Sequence, residues 1–117
     1  MLLIYTPDVP FTETEWAEMI PAYAAYSQML AESGKMVAGD PLEDSSTATT
    51  VRVRDGKRLI TDGPYAETKE YLAGYYILDC ATLDEALDLA AQCPGAAFGQ
   101  LEVRPVMDFA AAMQHAG

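Results

Sequence analysis

The chain has 117 residues, a formal net charge of −11 (7 basic against 18 acidic), two cysteines and one histidine. That length is one domain able to bury a core without metal or disulfide staples, and 50% hydrophobic residues mark a folding chain, not a disordered one. The acidic balance argues against nucleic-acid or anionic-membrane partners, and the lone His115 excludes Ser-His-Asp chemistry and multi-histidine metal sites within one chain.

The first element in chain order is a strand over residues 1–6, stopped by Pro7-Asp8. Its apolar run is too short for a secretory leader, and no other run approaches a membrane span. Thr12 with Glu15 is a capping box that opens a helix. Trp16, Met19, Ile20, Tyr23, Ser27 and Leu30 recur along it at helical spacing, and Gly34 ends it. Pro21 either kinks this helix or starts a second segment. A short strand over 35–39 follows, then a polar loop over 42–47.

Residues 48–54 alternate, with Val51 and Val53 on one face and Thr50, Arg52 and Arg54 on the other, as in a half-buried strand. Asp55-Gly56 is a hairpin turn, so residues 57–61 pair back antiparallel. A long strand occupies 71–80. Thr82 with Glu85 caps a second helix whose stripe is Leu83, Ala86, Leu87 and Ala90 and which ends near Cys93-Pro94. Residues 100–106 alternate again, and an alanine-rich tail over 107–117 carries a short helix. Cys80 and Cys93 lack metal-ligand spacing and read as reduced thiols of a cytoplasmic protein, with Cys80 buried. Neither a metal nor a cofactor is indicated.

With the hairpin set aside, the order is βαββαβ, the α+β ferredoxin-like plan, in one domain over 1–117. The strands this plan places centrally, 1–6 and 71–80, are the two that are apolar on both faces. Two helices cover only one face of the sheet. The other face is therefore expected to be covered by a second copy, giving a homodimer built as an α+β barrel.

The densest motif is Thr61-Asp62-Gly63-Pro64-Tyr65-Ala66-Glu67-Thr68-Lys69-Glu70, followed by Leu72-Ala73-Gly74. It resembles the DGPF motif of the YCII-related family, with Tyr65 for the usual Phe and Ala73 for the first Gly. Further likenesses at residues 48–56, 83–86, 93–94 and 102–105 extend the match to about residue 106. The resemblance implies the dimeric ferredoxin-like α+β barrel. It also implies a His–Asp dyad in the founding branch, which resembles muconolactone-isomerase-like proteins. Here the histidine position, eleven residues before Gly34, is Tyr23, and the aspartate position before Pro94 is Cys93. The dyad is thus replaced at both places. The DGPF branch is also associated with extracytoplasmic-function sigma factors, which implies a regulatory protein partner.

Three readings follow. The first is a small-molecule-binding or sensing module whose ligand meets Gly63, Pro64, Tyr65, Lys69 and Arg52, the last holding a carboxylate in the way Arg104 also can. The second is an enzyme on a cyclic or lactone-like substrate, with Asp62 or Glu67 as acid/base and Tyr23 as hydrogen-bond donor. The third is a structural dimeric adaptor. Against each residue stands a plain structural role: Asp62 bonding its own turn, Glu67, Lys69 and Glu70 in solvent, and Tyr23 as a core aromatic. A cavity joining residue 23 to residues 62–70 favours ligand binding, and an exposed Asp62 removes the enzyme's base.

Overall fold

The computed structural model describes residues 1–7 and 11–116 of the chain, and side chains as far as 114. Asp8 and the His115 side chain lie outside the described residues. The elements are β1 (Leu2–Pro7), α1 (Glu13–Glu32), β2 (Met36–Pro41), β3 (Thr49–Arg54), β4 (Lys57–Asp62), β5 (Glu70–Leu78), α2 (Leu83–Ala91), α3 (Gly95–Phe98), β6 (Gln100–Val103) and α4 (Phe109–Ala116). A single 3₁₀ turn, Ser45–Thr47, sits in the loop after β2. The main sheet runs β2-β5-β1-β6 with every pairing antiparallel, and β3-β4 form a separate ribbon. The two strands expected at the centre are there, and the α+β ferredoxin-like plan holds.

Both bonds of the first capping box form: the Glu15 amide donates to Thr12 Oγ1 at 3.2 Å and the Thr12 amide to Glu15 Oε1 at 3.0 Å. The helix closes with the Lys35 amide on the Leu30 carbonyl and the Gly34 amide on the Ala31 carbonyl, the two bonds of a Schellman stop. Between these ends α1 is one continuous helix with Pro21 inside it, so no second segment begins there. Proline there leaves a carbonyl one turn back without its helical partner. Because Pro21 is exposed within the helix, Pro21→Ala is expected to stabilise the chain by about 1–3 kcal/mol. A rise in urea midpoint at constant slope checks this; a fall in stability contradicts it.

The core is Leu2, Ile4, Tyr26, Leu30, Tyr76, Ala90 and Cys93. The buried stripe of α1 is Met19, Tyr26 and Leu30, with Tyr23 and Met29 partly buried, and the expected members Trp16 and Ile20 are exposed. Tyr26 was not part of the expected stripe. Its ring meets the Tyr76 ring edge-on at 5.4 Å, and its hydroxyl donates to the Leu89 carbonyl at 2.7 Å. Trp16 and Ile20 fail to bury because the first half of α1 stands over a cavity instead of over packed sheet. In α2 the inward residues are Ala86, Leu89 and Ala90, while Leu83 and Leu87 face solvent. The thiols are also reversed from expectation: both are free, but Cys93 is the buried one and Cys80 is half-buried.

Register explains the two faces of the sheet. Leu2 pairs with Tyr76 and Ile4 with Gly74 on the helix side, and the register then slips so that Ala73 is skipped and Tyr5 pairs with Leu72, Thr6 with Tyr71. Such a slip reverses the alternation along β5. It puts Tyr71 and Thr6 on the helix side and Leu72 with Tyr5 on the other, joining Leu3, Tyr75 and Ile77. The ribbon turns through Asp55 and Gly56, both at positive φ (53° and 74°), as a two-residue hairpin of this hand requires. Every residue from Val51 to Asp62 is exposed, so the half-burial expected of β3 does not occur within one chain.

Candidate functional site

A cavity of about 790 Å³ lies between the first half of α1, strands β1 and β5, and the loop after β2. Ile4, Met19, Ile20, Tyr23, Leu42 and Tyr76 supply most of its apolar wall. Two glycines hold the floor open. A Cβ on Gly39 would stand 2.5 Å from the Tyr76 ring, and one on Gly74 would stand 3.0 Å from the Asp40 carbonyl. At the mouth, Trp16 is 50% exposed and stacks edge-on with Phe11 at 5.5 Å. The rim is acidic, with Glu43 and Asp44, while the Asp40 carboxylate is turned to the uncovered face of the sheet beside its pairing partner Tyr75. Tyr75 donates its hydroxyl to Asp40 Oδ2 at 2.8 Å. Asp44 caps the 3₁₀ turn through the Ser46 hydroxyl and amide, which hold its carboxyl below the usual range.

At the inner end, Ser27 Oγ and Tyr76 Oη share a hydrogen bond of 2.7 Å. Tyr23 lies directly over Gly95, where a Cβ would come within 2.5 Å of its hydroxyl and 2.8 Å of Ile4 Cγ2. The Cys93 thiol lies near the Tyr23 phenol. Burial pushes the Tyr23 phenol above its ordinary value, and it pushes the Cys93 thiol up as well. Both groups are therefore uncharged near neutrality. Together they can donate and accept hydrogen bonds, but neither is poised to take or give a proton.

The DGPF stretch sits differently from expectation. Asp62 ends β4 opposite Thr49 and is exposed, as are Glu67 and Lys69; Tyr65 is 82% exposed, and Arg52 is out on the ribbon. Gly63 and Pro64 are half-buried at the ribbon's root, where the Gly63 amide donates to the Ala48 carbonyl at 2.7 Å and Thr50 Oγ1 to the Gly63 carbonyl at 2.9 Å. None of residues 62–69 lines the cavity. The stretch reaches it through Tyr71, which does line it and whose hydroxyl accepts the Thr68 amide at 3.2 Å. Glu70 is tied off by Gln100 Nε2 at 3.2 Å, and Arg104 faces its neighbour Glu102 at 3.6 Å.

Of the eight residues singled out from the sequence for a site, the structure brings only Tyr23 into the cavity. Trp16, Ile20, Leu42 and Tyr71 were missed as lining residues. For Trp16 and Ile20 the signal was present as an apolar stripe on α1 too wide for a 20-residue helix with three buried residues; Leu42 and Tyr71 gave none.

The chain matches the YCII-related domain over residues 1–110. It belongs to the YCII-related family. An uncharacterised protein of Rhizobium meliloti (strain 1021) is 42% identical over 85 residues, covering 71% of this chain and 68% of that protein. Within this YCII-related chain, the two positions matching the family's suggested dyad, Tyr23 and Cys93, are neighbours in space. They form an uncharged pair at the end of an apolar cavity.

Among the described residues, no helix is long and apolar enough to cross a membrane.

Proposed function

We propose that this chain is a small-molecule-binding module that pairs with a second copy through the bare face of its sheet. The observation that carries the reading is the cavity of about 790 Å³ with apolar walls, ending on Tyr23. Sites for small organic ligands have about 300–1,000 Å³, apolar walls and a few convergent polar groups. Tyr23, Ser27, Thr6 and Tyr76 are those groups here. An apolar, uncharged or cationic ligand suits it, because Glu43 and Asp44 at the rim repel anions.

An enzymatic reading needs a carboxyl raised toward working pH by burial, and the exposed Asp62 and Glu67 lack that burial. A purely structural adaptor has no use for the cavity. Pairing is supported by the apolar side chains on the uncovered sheet face, Leu3, Tyr5, Leu72, Tyr75 and Ile77. A regulatory output through a sigma factor fits this reading. It would run through protein contact, since the net charge of −11 opposes DNA.

The experiment is a titration with 1-aminoanthracene, a flat, nearly neutral fluorophore. Its emission should rise saturably with wild type. Ala24 lines the cavity and is exposed, outside the core, so Ala24→Trp adds bulk to the cavity wall, and the affinity should fall at least tenfold. Equal binding by the two proteins would remove the cavity as the site.

A further inference from the structure

The β3-β4 ribbon has two unlike faces. Its register pairs Val51 with Ile60, Val53 with Arg58, Arg52 with Leu59 and Arg54 with Lys57. Residues opposite each other across a ribbon share a face. Val51, Val53, Ile60 and Arg58 therefore form one face, and Arg52, Arg54, Lys57 and Leu59 the other. The first face is apolar and bare: Val51 is 58%, Val53 61% and Ile60 57% exposed. A two-stranded ribbon is marginal alone in water, and an alternating pattern of this kind calls for a cover.

Charge says what the cover is. The ribbon, residues 49–62, holds four of the chain's seven basic residues and two of its eighteen acidic ones, which leaves three basic and sixteen acidic for the rest. Neither ion pair among the described residues involves the ribbon. The natural complement of this ribbon is thus the acidic body of the same protein. Its own body is out of reach, because the ribbon is clamped at its root by the Gly63–Ala48 and Thr50–Gly63 bonds and stands clear of the sheet. Six residues per strand give it a reach of roughly 20 Å.

We infer that the ribbon of each copy lies over the cavity mouth of a second copy. Its face of three aliphatic residues and Arg58 covers the exposed Trp16 and Leu42, with Arg58 beside the carboxylates Glu43 and Asp44. Each cavity is then closed by the other chain. The match is one apolar face with a single cation against one apolar mouth with an acidic rim. The long stems of Arg52, Arg54 and Lys57 reach the acidic surface around it. This inference rests on the pairing reading above.

Sedimentation velocity across a dilution series tests it, with three proteins beside wild type: Arg58→Glu, Arg58→Glu with Glu43→Lys, and a chain whose residues 49–62 are replaced by two glycines. Arg58 and Glu43 are exposed, so neither change burdens the fold. The dimer dissociation constant should rise about tenfold in Arg58→Glu, return toward wild type in the charge-swapped double variant, and rise further without the ribbon. Salt should weaken the wild-type dimer. Unchanged dimer affinity in Arg58→Glu and in the ribbonless chain would overturn the inference while leaving pairing through the sheet intact. A wild-type chain that stays monomeric overturns both.

Discussion

Leu30→Ala is expected to cost about 3–5 kcal/mol, enough to leave a domain of this size barely folded. Leu30 has no solvent exposure at all and sits in the cluster where α1, α2 and the sheet meet. Its backbone carbonyl takes the Schellman bond from Lys35 and a bond from the Ser33 hydroxyl, and truncation at Cβ leaves both in place. The loss is therefore of burial and packing only. Leu83 is the control. It belongs to the stripe expected for α2, but the structure turns it to solvent, so Leu83→Ala should change stability by less than about 0.5 kcal/mol. Urea unfolding of both variants decides. Similar costs for the two would mean that the face of α2 is wrongly assigned.

A second large effect is expected in solution assembly. Wild type should sediment as a dimer at micromolar concentration, and Leu72→Asp with Ile77→Asp should sediment as a monomer. The dissociation constant should rise by at least a factor of about 100, or roughly 3 kcal/mol, because each carboxylate would be stripped of water against an apolar partner face. Leu72 is exposed and Ile77 half-exposed in the single chain, so the monomer bears the change at little cost to its fold. A double variant as dimeric as wild type would show that the pairing surface lies elsewhere.

Much of the fold is legible in the sequence because it rests on local chemistry. Thr12-Glu15 and Thr82-Glu85 mark where helices start, Asp55-Gly56 marks the ribbon's turn, and the doubly apolar runs at 1–6 and 71–80 mark the sheet centre. What was not legible depends on how elements sit against one another. Tyr26 rather than Ser27 faces the core because α1 is rotated to meet Tyr76 and Leu89, which helical spacing alone does not fix. Cys93 rather than Cys80 is buried because it lies under Tyr23, where α2 gives way to α3.

The site was harder still. The DGPF stretch is the most conspicuous motif, yet the charged side chains of residues 62–69 face solvent, and it meets the cavity only past residue 70, at Tyr71 and the Leu72-Ala73-Gly74 that follow. The cavity is made by absent side chains at Gly39 and Gly74 and by a skipped residue in β5; Gly74 stands in the motif, but neither Gly39 nor the skipped residue leaves such a mark. Tyr23 was found because its position could be counted from Gly34. Cys93 was placed by the resemblance as the residue before Pro94, and it lies near Tyr23.

The most direct test of the ligand-binding account is a residue map of where an apolar ligand sits. In a ¹H–¹⁵N and methyl spectrum titrated with 1-aminoanthracene, the shifts should gather on the Trp16 indole, the methyls of Ile4, Ile20 and Leu42, and the amides around Tyr23 and Gly39. They should be absent in Ala24→Trp. Shifts confined to the ribbon or to the sheet face of Leu3 and Ile77, or none at saturating ligand, would contradict the account.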